Sequence, residues 1–398
     1  MTDMGTISTK KQKHAQSGQS SPHSLNETTN IYFVIPGDLE AASGGYAYDR
    51  HILKGLRQLG WNVYHIPLTG AFPLCSAQTR HKANAKLTDL PDNALVLVDG
   101  LAYGALPEVI SIHAKRLNFI TLVHHPLFLE AGLGEKEQKA LHSAEKLALQ
   151  HAQFLITTSD ETRKTVVKNF SYPYDKIVVI EPGLDLPAFA KNPSHFDHLR
   201  TRQTSASVPM RLLCVGSVVA RKDQLSLIKA VAGLPDVFEN QKSWRLDIIG
   251  DLNFQPSYAQ KMHEVVEELG LQNYVHLHGK VGEARLKSFY ESADLFILPS
   301  HYEGYGMAFW EALSYGLPVI ATYEGSVAAQ LPREATLLFR AGNSQQLRQS
   351  IESLAATPSL LSAMSQAGHR ECQKKPSWEK VTALMSHHLK LFVERLKP

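Results

Sequence analysis

The feature that most restricts this chain is a repeated grammar, in which short uninterrupted apolar runs alternate with amphipathic helical ones. IYFVIPG (31–37) is a β-branched and aromatic run closed by Pro-Gly. YDRHILKGLRQLG follows, with Ile52, Leu53, Leu56 and Leu59 on one face and Gly60 as its stop. WNVYHIPL (61–68), NALVLVDG (93–100), NFITLVHHP (118–126), QFLITTS (153–159) and KIVVIEPG (176–183) continue the series, and a long helix is expected over about 135–152. Strands that are apolar along their whole length are buried on both faces, which means a parallel sheet covered by helices on either side.

After Asp185 the pattern lapses into a Pro-, Ser- and Thr-rich stretch, LPAFAKNPSHFDHLRTRQTSASVP. It then resumes with MRLLCVGS (210–217), WRLDIIGD (244–251), NYVHLHG (273–279), DLFILPS (294–300) and LPVIAT (317–322), again separated by helices. A chain of 398 residues is too long for one core, so it divides. The expected parts are a disordered tail over 1–30, a first α/β domain over 31–190, a linker over 191–209 and a second domain over 210–376. A helix over 377–398 closes the chain and is expected to cross back to the first domain. Ligands of doubly wound sheets bind at the carboxyl ends of the strands, so the cleft between the two domains is the place to look.

Two stretches of the second half carry chemistry. In VGSVVARKDQLSLIKAV the strand ends at Gly216, and a helix is expected to begin near Asp223, a good N-cap residue. Arg221 and Lys222 then sit at a helix N-terminus, where the dipole already disfavours cations. Either both side chains splay into water, or an anion such as a diphosphate rests there. In PSHYEGYGMAFWEALSYG, Gly304 and Gly306 let the backbone approach a ligand closely and place Glu303 at the cleft mouth. Glu311 lies on the next helix among Phe309, Trp310, Ala312 and Leu313, where a carboxylate needs hydrogen-bond partners. A glutamate on a helix is usually just solvated, but the Gly loop and the Arg-Lys pair make that reading poor here.

With these residues in view, the chain resembles the retaining family 4 glycosyltransferases through its E-x7-E stretch from Glu303 to Glu311. The resemblance extends in order through ASGGYAYDR, TLVHHP, TTS, PGLD and VGSVVARK, from about Ile31 to about Leu391. It implies the GT-B fold, two Rossmann-like domains facing across a cleft, and transfer of a sugar from a nucleotide-diphosphate donor to a hydroxyl acceptor. It further implies that Arg221 and Lys222 bind the donor diphosphate, Glu311 holds the ribose hydroxyls and Glu303 contacts the transferred sugar. The backbone at Tyr305, Gly306 and Met307 would help hold sugar and phosphate, with Gly44 and Gly45 lining the floor beneath. The loop with Gly279, Lys280 and Val281 would cradle the base. The sugar-contacting histidine of the family would be His124 or His125; counting from the strand FITLV favours His124. The loop reads SVVA where R-L-x-x is commoner, and Asp223 replaces a frequent Gly, which bears on nucleotide preference.

The remaining features bound the alternatives. A formal charge of +3 suits anionic small molecules and is too weak to argue for nucleic acid. Cys75, Cys214 and Cys372 are far apart with no CxxC pairing, and Cys214 reads as a small core residue. With no apolar run of spanning length and no signal-peptide core, a cytoplasmic location is expected. Peripheral membrane contact stays open through Arg163, Lys164 and Lys168, although a solvated helix face explains them more simply. No metal or other cofactor is expected: there is no Asp-x-Asp, and no carboxylate or thiol lies at ligand spacing beside the histidine pair. The histidines at 276, 278, 387 and 388 are likewise read as surface or core residues. The rival functions are a phosphorylase or sugar-phosphate synthase of the same fold, and a non-catalytic nucleotide-sugar-binding protein. The expected acceptor is a glycan, polysaccharide or lipid-linked hydroxyl.

Overall fold

The computed structural model describes residues 29–130, 133–187, 209–234, 236–238, 241–242 and 244–396. The expected tail and linker fall, apart from their last residues, outside these. The first sheet contains β1 (Asn30–Pro36), β2 (Asn62–Leu68), β3 (Leu95–Asp99), β4 (Asn118–Val123), β5 (Phe154–Thr157) and β6 (Ile177–Val179). Its strands lie in the order β2-β1-β3-β4-β5-β6, and every pair is parallel. β7 (Met210–Val215) opens the second half, followed by a short antiparallel pair, β8 (Asp236–Phe238) and β9 (Gln241–Lys242). The second sheet joins β7 to β10 (Trp244–Ile249), β11 (Val275–Leu277), β12 (Leu295–Leu298), β13 (Val319–Thr322) and β14 (Thr336–Phe339). Their order is β11-β10-β7-β12-β13-β14, again all parallel.

The apolar runs behave as their composition requires. β3, β5, β12 and β13 are buried at every residue, because helices cover both faces of each sheet. The helix Gly44–Gln58 buries Ile52, Leu53 and Leu56. Leu59, expected on the same face, is instead 44% exposed, because it is already the C-cap residue and has left the helical register. Cys214 is fully buried in the core of the second domain.

In each sheet the strand order reverses beside its first strand, at β1–β3 and at β7–β12. The loops that leave the carboxyl ends there face each other, which is where open α/β sheets bind ligands. Two stretches cross between the halves. Leu184 N–H donates to Pro376 O at 2.9 Å, bringing the outgoing and returning chain side by side. The last helix, Trp378–Leu396, then packs on the first domain: Trp378, Val381, Met385 and Leu389 share a core with Ile52, Leu56 and Ile156. Trp61 Nε1 donates to Ser386 Oγ at 2.8 Å across that contact.

No helix among the described residues is long and apolar enough to cross a membrane. The basic side chains of the helix Asp160–Phe170 are partly neutralised in place: Arg163 pairs with Asp160, and Lys164 with Asp160 and Glu161. That weakens the case for a basic stripe directed at a membrane.

Candidate active site

The loop after β7 turns through a short 3₁₀ segment, Ala220–Lys222, before the helix Gln224–Ala232 begins. Asp223 stands at the N-cap position but makes no side-chain cap; its backbone is left-handed, with φ of 49°. The expected capping role is therefore wrong. Its carboxylate instead lies 3.4 Å from His301. The tight turn swings Arg221 and Lys222 away from the helix axis and towards the loop after β12. Lys222 Nζ donates to Glu303 Oε1 at 2.5 Å, and Arg221 Nη1 lies 3.7 Å from the same oxygen.

Glu303 is thus not at the cleft mouth as expected but buried, at 6% exposure. The pair of cations draws it inward, and Ser326 fixes its backbone, donating from N and Oγ to Glu303 O. Burial alone would raise the Glu303 carboxyl, but Lys222 and then Arg221 pull it below the ordinary carboxylate range. A buried carboxylate with two cations leaves one positive charge unmatched within this group, which suits a further anion.

Such an anion comes from the other domain. Arg221 Nε donates to Glu130 Oε1 at 3.0 Å, and Nη1 donates to Tyr302 O at 2.6 Å. His125 Nε2 lies 2.8 Å from the second oxygen of Glu130. Burial would raise Glu130, but His125 and Arg221 hold it well below its usual range. The predicted phosphate-binding arginine is therefore occupied by a carboxylate that reaches across the cleft. The two domains also meet where Lys280 Nζ donates to Glu40 O at 2.8 Å and where Tyr305 OH approaches Glu181 at 3.4 Å.

The helix Met307–Ser314 starts at this cleft, with Gly306 as its N-cap at φ of +82°. Gly304 is required by close approach, since a Cβ there would stand 2.1 Å from His124 O. One turn into the helix, Glu311 is half-buried and accepts a hydrogen bond from Tyr290 OH at 3.1 Å. Burial pushes its carboxyl above the usual range, and the Tyr290 bond alone opposes that. A cavity of about 170 Å³ opens beside it, lined among others by His51, Asp185, Trp310, Glu311 and Lys375. Gly216 ends β7 with its N–H on Ile249 O, and Gly279 accepts from Gly250 N–H, so the loop carrying Lys280 and Val281 stands next to the β7 turn.

On the facing domain, Gly44 and Gly45 are not a loop but the first turn of the helix Gly44–Gln58, capped by Ser43. A Cβ on Gly44 would touch the Met307 side chain, and one on Gly45 would crowd the His124 ring at 3.3 Å. This floor holds what the sequence reading missed. His124 Nε2 lies 3.1 Å from Asp49 Oδ1 and 3.5 Å from Asp99 Oδ2. No carboxylate lies at ligand spacing beside the histidine pair in the sequence, yet in space two stand at His124. Asp49 comes from that helix and Asp99 from the end of β3, both remote in sequence but adjacent at the switch point. Burial alone would lower the His124 imidazole, but the charge and hydrogen bond of Asp49, then Asp99, carry it above the ordinary histidine range.

Among the described residues, Asp49, Asp99 and His124 form the one group of three metal-ligand side chains, their ligand atoms within 4.8 Å of one another. His124 Nε2 is hydrogen-bonded to Asp49 Oδ1 at 3.1 Å, and Asp99 Oδ2 stands 3.5 Å from the same nitrogen. His124 and His125 therefore have separate partners, Asp49 with Asp99 and Glu130 respectively. Glu130 was legible only as part of HHPLFLE, five residues beyond His125. Asp49 and Asp99 were visible in YAYDR and VLVDG, but nothing local marks them as partners of His124.

Residues 197–371 match the family model for glycosyl transferases group 1. A glycosyltransferase of Methanocaldococcus jannaschii described as uncharacterized is 27% identical over 225 residues, 56% of either chain. The chain spans about half the length of the curated relatives it matches. Sucrose-phosphate synthase from Thermosynechococcus elongatus superposes with a TM-score of 0.73 at 20% identity, covering 92% of this chain and all of the other. Anabaena HepE, solved in complex with UDP-glucose, gives 0.69 at 16% identity, covering 91% of this chain and 99% of its own. At such identities the superpositions speak for the fold, two Rossmann-like domains in the GT-B arrangement. On that fold, the stretch 197–371 is similar to the glycosyl transferases group 1 family.

Proposed function

We propose that this protein is a retaining, metal-independent glycosyltransferase of family 4 that moves a sugar from a nucleotide-diphosphate donor to a hydroxyl acceptor. The observation that carries the proposal is the cleft group of Arg221, Lys222 and Glu303, with one positive charge in excess beside the N-terminus of the helix Met307–Ser314. A helix N-terminus and a pair of cations are the groups that hold a diphosphate. The match of the second domain to the family and the UDP-glucose complex of Anabaena HepE support a nucleotide-sugar donor.

In this reading the donor diphosphate displaces Glu130 from Arg221. Glu311, one turn along the helix, accepts from the ribose hydroxyls, and Glu303 faces the transferred sugar. The acceptor oxygen forms its bond to the anomeric carbon on the face from which the phosphate oxygen departs. The acceptor's proton passes to that leaving oxygen, and Arg221 with Lys222 stabilises the charge that develops there. Closure of the two domains excludes water that would otherwise hydrolyse the donor. The acceptor is a hydroxyl of a glycan, polysaccharide or lipid-linked sugar, met on the first-domain side of the cleft.

The test is thermal stabilisation of the purified protein by a panel of nucleotide diphosphates and their sugars, with and without EDTA. Stabilisation by one nucleotide family, unchanged by EDTA, is the expected result and identifies the donor. Its retention of configuration is then read from the anomeric product by NMR. Stabilisation by inorganic phosphate or sugar phosphates alone would shift the reading to a phosphorylase or sugar-phosphate synthase. Donor binding without any turnover over an acceptor panel would indicate a binding protein.

A further inference from the structure

We infer that Lys375 is a positioning residue: standing where the chain crosses back to the first domain, it ties the loop that carries Glu303 to Glu181 through Tyr305 and Trp310. Three observations carry this. First, the contacts close on one another. Lys375 Nζ donates to Glu181 Oε2 at 3.0 Å and to Tyr305 OH at 3.1 Å, and the Tyr305 hydroxyl donates to the same Glu181 oxygen at 3.4 Å. The ammonium also stands 4.0 Å from the centre of the Trp310 ring. Second, the groups come from three stretches that meet here. Glu181 follows β6 of the first domain, Lys375 precedes the Pro376 that pairs with Leu184, and Tyr305 stands between Gly304 and the N-cap Gly306. The crossing has no slack: a Cβ on Gly183 would lie 2.6 Å from the backbone of Trp378. Third, the cluster is sheltered. Tyr305 is 6% exposed and the Lys375 side chain 18%, with Glu181 on the side towards solvent.

The same loop meets the first domain at its other neighbours too. The Tyr302 ring is 6.2 Å from the His125 ring, Gly304 lies against His124 O, and the Met307 side chain packs on Gly44. Glu303 turns the other way, to Lys222 and Arg221 of its own domain. The residues on either side of Glu303 are therefore held by the first domain, whereas its carboxylate is held by the second. Lys375 also lines the cavity beside Glu311, the residue after Trp310. Two of its three N–H groups are committed to Glu181 and Tyr305, and an indole face lies against it. It therefore acts on the site through Tyr305 and Trp310 and not as a ligand contact.

The consequence bears on the reaction and rests on the glycosyltransferase reading. Domains that part draw Glu181 away from Tyr305, and the loop loses a fixed point beside the transferred sugar; domains that close restore it. That reading gives the nucleotide to Arg221, Lys222 and Glu311, whose own bonds run elsewhere. Losing the tie should therefore slow transfer more than it weakens nucleotide binding.

The experiment compares Lys375→Met, which keeps an apolar stem over Trp310 but no donors, with Lys375→Arg, which keeps both. Two readouts are taken on the full chain. One is the distance between spin labels at Lys86→Cys and Glu267→Cys, exposed helix positions of the first and second domains, read by pulsed dipolar spectroscopy. The background is Cys75→Ser, since Cys214 and Cys372 are buried. Lys375→Met should broaden the distance distribution, and Lys375→Arg should keep that of the parent. The other readout sets kinetics against calorimetry. Lys375→Met should lower kcat about 10-fold, while the Kd of UDP, GDP or ADP, whichever stabilises the wild type, shifts by about 2-fold or less. An unchanged distance distribution would overturn the inference. So would a weakened Kd at constant kcat, which would make Lys375 a ligand contact, or a loss in Lys375→Arg equal to that in Lys375→Met. Should Lys375→Met fail to fold, Tyr305→Phe, which removes only the hydroxyl, carries the same two readouts. If no nucleotide sugar is ever consumed, the functional reading fails while the distance measurement still decides the tie.

Discussion

Two buried ionic groups face each other across the cleft with opposite imbalance. The second domain offers two cations around one carboxylate, Arg221 and Lys222 with Glu303. The first domain offers two carboxylates around one imidazole, Asp49 and Asp99 with His124. Both groups are buried, so neither can leave its charge to water, yet their roles diverge. The cationic group has a spare positive charge, and Glu130 of the first domain pairs with it through Arg221. The acidic group is turned inward: its carboxylates act on His124, and only the ring reaches the cleft. One fold, used twice, thus gives one half with two cations around a carboxylate and one half with two acids around an imidazole.

The comparison breaks most visibly at Lys222. Lys222→Ala should reduce transfer by roughly 10³-fold, because leaving-group stabilisation is lost. It should also cost about 3–5 kcal/mol of stability, because Glu303 is left buried with only Arg221, at 3.7 Å. Steady-state kinetics and urea unfolding would check both. Arg221→Ala should slow transfer by about 10²-fold with a smaller loss of stability, since Lys222 still pairs with Glu303. If both variants kept full activity, the placement of the site would be wrong.

A further buried carboxyl sharpens the contrast because it has no cation. Glu145, 1% exposed, accepts only Leu127 N–H at 2.9 Å, and burial pushes its carboxyl up to about 8 against that bond. Its folded value lies above its unfolded one, so its contribution to stability is full below about pH 4 and is lost as pH rises towards about 8. Glu145→Gln should therefore stabilise the protein by about 2 kcal/mol near pH 8 and hardly at all at pH 4. Denaturant midpoints across pH would show this, and a flat difference would contradict it. Glu303 carries the opposite sign: with its carboxyl lowered by Lys222 and Arg221, its contribution is present above the unfolded value and is lost in acid.

Smaller effects separate binding from transfer. Glu311→Ala should weaken nucleotide-sugar binding about 10-fold by removing the acceptor for the ribose hydroxyls, with the deficit in KM more than in kcat. Glu130→Gln should act in the other direction. Freed from competition for Arg221, a nucleoside diphosphate should bind about 2- to 5-fold tighter in calorimetry. Equal affinity in Glu130→Gln and wild type would mean that Glu130 is no rival for the diphosphate site.

How much of this was legible in the sequence differs between the two groups. Glu303, Arg221 and Lys222 could be read because each belongs to a short loop leaving an apolar strand, where covalent spacing fixes the neighbourhood. The depth of Glu303 was misread all the same: a Gly-flanked loop suggests exposure, and only the ion pair with Lys222 explains its burial. The capping role given to Asp223 failed for a similar reason, since a short-range preference yielded to the turn that aims Arg221 and Lys222 at Glu303. Glu130, Asp49 and Asp99 were unreadable as site residues. His124 and Asp49 are 75 positions apart, and Arg221 and Glu130 are 91 apart.

By itself, then, the sequence determined two parallel sheets wrapped by helices, the loops at their strand ends and the charge those loops carry. These follow from side-chain periodicity and turn chemistry, which act over a few residues. The tertiary structure alone decided which charges meet. Placing β1 beside β3 and β3 beside β4 brings Asp49 and Asp99 to His124, and the approach of the two domains brings Glu130 to Arg221. Electrostatic partnership depends on distance in space and on exclusion of water, and strand order and domain contact set both.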